Sequence, residues 1–312
     1  MPGADAPQAT TDAGGAAGPG EQGDKRFSLS PSRASDFQSC PLRYRLRHVD
    51  RLPEPPGPEA YRGTLVHAVL ERLFDLPAAD RTLRRALELV PAEWQRLIEE
   101  ADGGLVELLL GPEGNWERQL AGEPLEPAPP EVLERFLQQA EQRLAVYFEM
   151  EDPTSLEPAE RELLVRAEVA GGLQLRGYVD RLDRAPDGRT RVVDYKTGRS
   201  PSEFFEQQAM FQLRCYALAL SRDDEGVTPT VLQLLYLGDG QTLRYRPDEA
   251  DLRATERKLA ALWQAILRAY ERNDWRPRKS KLCDYCSFKA YCPEWGGTLP
   301  EASGGGAATV EA

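Results

Sequence analysis

The chain contains no run of eighteen apolar residues, so nothing in it predicts a membrane-spanning helix. Near Met1 there is no basic stretch followed by an apolar one. The first twenty residues are rich in Ala, Gly, Pro and Thr and do not read as a secretion signal. A soluble, cytoplasmic protein without a membrane partner is the expectation. No Gly-x4-Gly-Lys-Ser/Thr phosphate loop occurs, so no helicase-type motor is expected within the chain. Positive charge is also short: 39 Lys and Arg face 51 Asp and Glu, for a net charge of −12. Phosphate binding wants Lys and Arg, so this average argues against a nucleic-acid partner unless the basic residues gather in one groove. There are only five cysteines, an odd number, and without a secretion signal they do not suggest a disulfide framework.

What remains is 312 residues, 41% of them hydrophobic, enough for one large domain or two small ones. Residues 1–26 and 297–312 are small, Gly- and Pro-rich and without periodicity, and are expected to be disordered tails. The stretch 27–296 is expected to form the ordered domain, with a helical insertion at about 76–155. Ser30-Pro31-Ser32 predicts a helix start. Val66, Val69, Leu70 and Leu73 recur at helical spacing over 62–74, and further helices are expected near 81–100 and 130–149. The Gly- and Pro-rich segment between those two reads as a loop or insertion. Three strands are expected at 162–169, 173–182 and 190–195, with turns at Gly171-Gly172 and Pro186-Asp187-Gly188. A helix over 204–221, strands at 230–237 and 241–246, and a long helix at 248–272 complete an α/β layer arrangement.

The chemistry sits in the middle. Gly177-Tyr-Val-Asp180-Arg-Leu-Asp183 precedes Val192-Val-Asp194-Tyr195-Lys196-Thr-Gly198. Alternate residues of a strand share a face about 7 Å apart, so Asp194 and Lys196 project together while Tyr195 points away. In the right register Asp180 lies beside Asp194. Two adjacent carboxylates repel unless a cation sits between them, and hard oxygen ligands favour Mg²⁺ or Mn²⁺. Such an ion polarises a phosphodiester and acidifies water, and a neighbouring lysine offsets charge developing on the phosphate. The competing interpretation of Asp194-x-Lys196 alone is a surface ion pair. Asp183 falls on the opposite face from Asp180 and reads as structural, a partner for Arg181 or Arg184.

Taken with Gln212-Leu-x-x-Tyr216 downstream and Gly63-Thr-Leu-Val-His67-Ala-Val-Leu-Glu71 upstream, this run resembles the RecB-type nuclease domain of the PD-(D/E)XK superfamily. The motifs stand in family order from about residue 30 to 292. The resemblance implies a restriction-endonuclease-like mixed sheet flanked by helices. It implies that Asp180, Asp194, His67 and the Tyr195 carbonyl are metal ligands and that Lys196 is the catalytic lysine. Gln212 and Tyr216 would contact DNA or steady the site. By residue type alone His67 reads as a half-buried helix histidine, and Glu71, one turn on, either orients it or is solvated. His67-x3-Glu71 is not the His-Glu-x-x-His pattern of zinc peptidases.

Cys283-x2-Cys286-x5-Cys292 supplies three thiolates, and a tetrahedral site or a cubane cluster needs four. Cys40, far upstream, is the best candidate for the fourth, and the segment 273–296 would then be the cluster-binding end of the domain. The resemblance to the AddB-type and CRISPR-associated members of the group implies a 4Fe–4S cluster on these four residues. Structural zinc is the alternative that ligand chemistry leaves open. Cys215, in an apolar helix, reads as a buried free thiol. Arg33, Arg43, Arg45, Arg47 and Arg51 lie around Cys40. Arg272, Arg276, Arg278, Lys279, Lys281 and Lys289 lie around the other three. Tyr44, Trp275, Tyr285, Phe288 and Tyr291 are interleaved with them, as either a stacking surface for single strands or a small core. Joining both segments at a cluster would gather the basic residues that the overall charge lacks.

The expected function is a Mg²⁺- or Mn²⁺-dependent DNA nuclease. It would most naturally be an exonuclease acting on single-stranded or end-containing DNA in repair or recombination, with a helicase or CRISPR adaptation proteins as partners. The alternative is a non-catalytic DNA-binding or scaffold module of the same fold.

Overall fold

Alternation of apolar and polar residues builds the sheet, and the computed structural model describes it within residues 28–300, apart from 102, 224 and 225. The expected tail 1–26 and residues 301–312 lie outside the described residues. In chain order the elements are β1 (Ser28–Leu29), α1 (Pro31–Ser39), α2 (Pro41–Tyr44), α3 (Pro58–Leu73) and α4 (Leu83–Glu100). These are followed by α5 (Leu105–Leu110), α6 (Asn115–Ala121), α7 (Pro130–Met150), β2 (Pro158–Val169), β3 (Leu173–Arg184) and β4 (Thr190–Lys196). The last are α8 (Glu206–Ala209), α9 (Phe211–Leu220), β5 (Val231–Tyr236), β6 (Gln241–Tyr245) and α10 (Glu249–Arg272). The chain divides into two units: a larger one of residues 55–260 with the strand β1, and a smaller one of residues 32–54 and 261–300.

In the larger unit a six-stranded mixed sheet runs β1-β3-β4-β5-β6, with β2 on the other side of β3. This is the mixed α/β sheet flanked by helices that the motifs imply. The antiparallel strands β2 and β3 pair over nearly their whole length. On the opposite edge of β3, β4 pairs only with residues 181–184 and β1 only with residues 174–175. The strands therefore part at residues 176–180, and the gap opens beside Asp180. One sheet face carries Val193, Tyr195 and Leu235, which pack against Leu65, Val69, Trp94, Phe136 and Leu144 of α3, α4 and α7. Helix α9, buried along almost its entire length, covers the other face.

Two expectations are refined. The helix over 204–221 is broken into a turn at Glu203–Phe205, the mostly exposed α8 and the buried α9, because only α9 lies on the sheet. The Gly- and Pro-rich stretch holds two short helices. Leu105, Leu109 and Leu110 give α5 a buried side, and Gly104 and Gly114 take the left-handed backbone needed to start α5 and α6.

Beneath the site lies a buried cation. Arg181 is 1% exposed and lies over the rings of Tyr195 and Phe74. It donates to the Tyr195 hydroxyl at 2.8 Å and to Glu151 at 2.8 Å, and its Nε stands 3.0 Å from Asp183. Asp183 also takes Arg191 at 2.6 Å. It is structural, and Arg181 is one of its partners.

The smaller unit packs Tyr44 against Phe37 edge-on and against Trp275 face to face, with Tyr270 edge-on to Trp275. Arg47 bridges Asp36 and Glu54, and Arg45 pairs with Asp50.

Candidate metal centre and cysteine site

Sheet register brings the first residues together. Because Arg181 pairs with Val193, Asp180 stands across from Asp194, just where β3 and β4 separate. The Asp180 carboxylate fills the break in the ladder, accepting the Tyr195 backbone N–H at 2.7 Å. From α3, His67 reaches in: its Nε2 donates to the Tyr195 carbonyl at 2.9 Å, and its Nδ1 lies 3.5 Å from Asp180. On the α9 side, Lys196 pairs with Asp194 at 2.7 Å and donates to Gln212 at 2.9 Å. Gln212 in turn donates to the Tyr216 hydroxyl at 2.7 Å. Tyr216 is buried and its ring lies over Gly177, where a Cβ would sit 2.4 Å from it. The glycine of Gly177-x-x-Asp180 thus makes room for the tyrosine. Gln212 and Tyr216 form a hydrogen-bonded chain that ends on the Lys196 ammonium.

Glu162, which no motif in the sequence marks, joins the site from β2. Its carboxylate joins His67 and Asp180 in a group whose ligand atoms all lie within 4.8 Å of one another. Glu71 lines the same cleft. Glu162 holds a φ of 45°, a left-handed backbone that a residue with a Cβ adopts at a cost of about 1–3 kcal/mol. The signal was the β2–β3 register, which sets Glu162 opposite Asp180 and is not readable from residue types.

The electrostatics favour a cation. Burial pushes the Asp180 carboxyl up; His67 and Lys196 pull it down and Asp194 pushes it further up. Burial, then Asp180, Glu71 and Asp194, raise Glu162 as well. Asp194 is almost wholly buried, and its Oδ2 has no hydrogen-bond donor in proper geometry, only the Lys196 charge. His67, Glu162 and Asp180 offer ligand atoms that all lie within 4.8 Å of one another, beside the Tyr195 carbonyl. The donor set fits a hard divalent ion.

A carboxyl raised on folding favours the folded state while protonated, and that advantage is lost as pH rises from its unfolded to its folded value. Metal-free protein should therefore lose melting temperature between about pH 4 and pH 8. Glu162→Gln should flatten the loss, raising the pH 8 melting temperature by a few degrees (~2–4 °C per kcal/mol). Added Mn²⁺ should stabilise the wild type more at pH 8 than at pH 6. A wild-type protein whose melting temperature rises steadily across this range would contradict the assignment.

In the smaller unit Cys40, Cys283, Cys286 and Cys292 line one cleft. Backbone N–H groups point at three of the sulfurs: Arg278 to Cys40 at 3.4 Å, Ser280 to Cys283 at 3.4 Å, and Phe288 to Cys286. Burial raises the Cys286 thiol, while the Phe288 N–H and Arg43 act the other way. Cys215 is apart from these, fully buried in α9.

The chain is similar to known proteins over most of its length. A solved structure of a protein from Eubacterium rectale, provisionally named an exonuclease, aligns over 84% of this chain and 87% of its own, at 12% identity and a TM-score of 0.47. The protein SSO0001 aligns over 54% of this chain and 72% of its own, at 22% identity and a TM-score of 0.33. No curated protein matches the sequence. Residues 28–293 match the family described as the PD-(D/E)XK nuclease superfamily. With His67 beside Asp180 and the Asp194–Lys196 pair across from them where β3 and β4 part, the chain belongs to the PD-(D/E)XK nuclease superfamily.

Proposed function

We propose that this protein is a divalent-metal-dependent DNA nuclease, an exonuclease on single-stranded or end-containing DNA in repair or recombination. The observation that carries the reading is the cluster of His67, Glu162 and Asp180, with the Tyr195 carbonyl on His67 and the Asp194–Lys196 pair across the strand gap. His67, Asp180, Glu162 and the Tyr195 carbonyl would hold Mg²⁺ or Mn²⁺, with Asp194 as a further carboxylate. The ion, when bound, would polarise the scissile phosphate and acidify water. Lys196 is steadied from two sides by Asp194 and Gln212, so its ammonium can offset charge on a phosphate oxygen without first being ordered. The complete residue set favours catalysis over a scaffold role. A helicase or CRISPR adaptation protein as partner rests on the motif resemblance alone.

End-labelled single-stranded and duplex DNA, incubated with Mg²⁺ or Mn²⁺, tests this. Mononucleotides or short products released from ends, abolished by chelation, are the expected result. Intact DNA under all metal conditions would refute it. Internal fragments from closed circles would replace the exonuclease reading with an endonuclease.

We further propose that the four cysteines hold a 4Fe–4S cluster, as in the RecB-like group the motifs resemble. Four thiolates suit either a tetrahedral zinc or a cubane cluster, and the motif resemblance favours the cluster. Backbone N–H groups aimed at the sulfurs support thiolate ligation. Anaerobically purified protein should be brown, with broad absorption near ~400 nm. Cys40→Ala should bleach it and lower the melting temperature, because the ligand closes a very long loop. Colourless protein with stoichiometric zinc would contradict the cluster.

A further inference from the structure

The aromatic residues around the cysteines split into two sets. Tyr44, Trp275 and Phe288 are buried and form the small core of their unit. Tyr285, Tyr291 and Trp295 are not: they are 59%, 37% and 46% exposed. Leaving three large rings in water within eleven residues forgoes the burial that would otherwise stabilise this small unit, so the exposure calls for a partner. Trp295 sits in a short turn three residues after Cys292. The Lys289 ammonium lies 5.0 Å from its ring centre and that of Lys279 lies 5.7 Å away. Charge is locally inverted. From Arg276 to Trp295 there are five Lys and Arg against Asp284 and Glu294, in a chain of net charge −12.

We infer that Trp295, with Lys279 and Lys289, forms a stacking site for a base of single-stranded DNA. An acidic peptide would use the charges but not the flat rings. Duplex DNA hides its bases in the stack and would offer only phosphates. A single strand uses both: a base lies on the indole while the Lys279 and Lys289 ammoniums, the latter also donating to the Asp284 carbonyl at 2.8 Å, turn to the flanking phosphates. The inference rests on the DNA-processing reading above, but it concerns binding and can be tested without cleavage.

The experiment is fluorescence anisotropy of an end-labelled oligothymidylate of about twenty nucleotides. It uses the full chain, purified anaerobically, in chelator so that no DNA is cut. Trp295→Ala should weaken binding by between about 5- and 150-fold, the range for removing one stacking ring. Trp295→Phe should stay within a few-fold of wild type. Lys279→Ala with Lys289→Ala should lower the salt slope by about 1.4, at ~0.7 per phosphate contact on a single strand. Circular dichroism and the visible absorption of each variant separate a lost contact from a lost fold. Wild-type affinity in Trp295→Ala overturns the inference, and so does a loss that phenylalanine fails to restore in a folded protein. Tighter binding of duplex than of single strand, unchanged by Trp295→Ala, also overturns it. If Trp295→Ala weakens binding while the wild type cuts nothing with Mn²⁺, the stacking site stands and the nuclease reading falls.

Discussion

Lys196→Met should lower the rate of DNA cleavage by about 10²–10³-fold while leaving Mn²⁺ affinity within a few-fold of wild type. The expectation comes from where the lysine is held. Its ammonium pairs with Asp194 at 2.7 Å and donates to Gln212 at 2.9 Å, and Gln212 is tied to buried Tyr216. Its place is therefore fixed before substrate arrives, and in the proposed reaction it would offset charge on phosphate at no ordering cost. Methionine keeps the bulk of the chain and removes the charge. In metal-free protein it also leaves buried Asp194 without its cation, so the variant should melt lower in chelator and recover part of the loss when Mn²⁺ is added. Single-turnover cleavage and calorimetric Mn²⁺ titration read the two effects separately. A variant that loses metal binding together with activity would make Lys196 a structural support of the ligands.

Arg181→Met should destabilise the fold by about 3–5 kcal/mol, the cost of leaving buried partners of a removed charge uncompensated. Arg181 is 1% exposed and its charge is shared by Glu151 and Asp183, which lie 9% and 15% exposed. Those two carboxylates would remain under the sheet, with Arg191 and the Gln233 amide still beside them. The same arginine holds the Tyr195 hydroxyl at 2.8 Å. The backbone of Tyr195 binds both Asp180 and His67, so the loss should reach the metal centre through it. Denaturant unfolding gives the stability. Mn²⁺ affinity of the still-folded variant gives the coupling, expected as a weakening of severalfold or more. Stability within 1 kcal/mol of wild type would show that the buried cation is not what holds this side of the sheet.

The legible part of this molecule was its chemistry in linear order. Asp194-x-Lys196 reads directly as one face of a strand, and the strand delivers that face to α9. His67 is different. On composition it is one more histidine among Val66 and Leu70, and only its place in an ordered set of motifs marks it. Gly177 could be seen as part of a motif, but its reason, the Tyr216 ring above it, depends on a helix arriving from elsewhere. Glu162 was invisible because pairing register across β2 and β3, not residue type, puts it beside Asp180. The parting of β3 from β4 was equally hidden. Where a ladder stops depends on what competes for its N–H groups, and here the Asp180 carboxylate takes that of Tyr195. The aromatics near the cysteines could be read as core or as surface. Burial divides them, and the division follows the packing of Tyr44 on Trp275 rather than any pattern in the segment.

The most direct test compares wild type, Asp194→Ala and Lys196→Ala on the same end-labelled DNA at matched Mn²⁺. Asp194 and Lys196 are the carboxylate and the cation that face each other at the gap between β3 and β4. The expected result is metal-dependent degradation by the wild type, absent in chelator and lowered about 10²-fold or more in both variants, with all three folded. Equal degradation by all three would place the chemistry elsewhere in the chain and contradict the account.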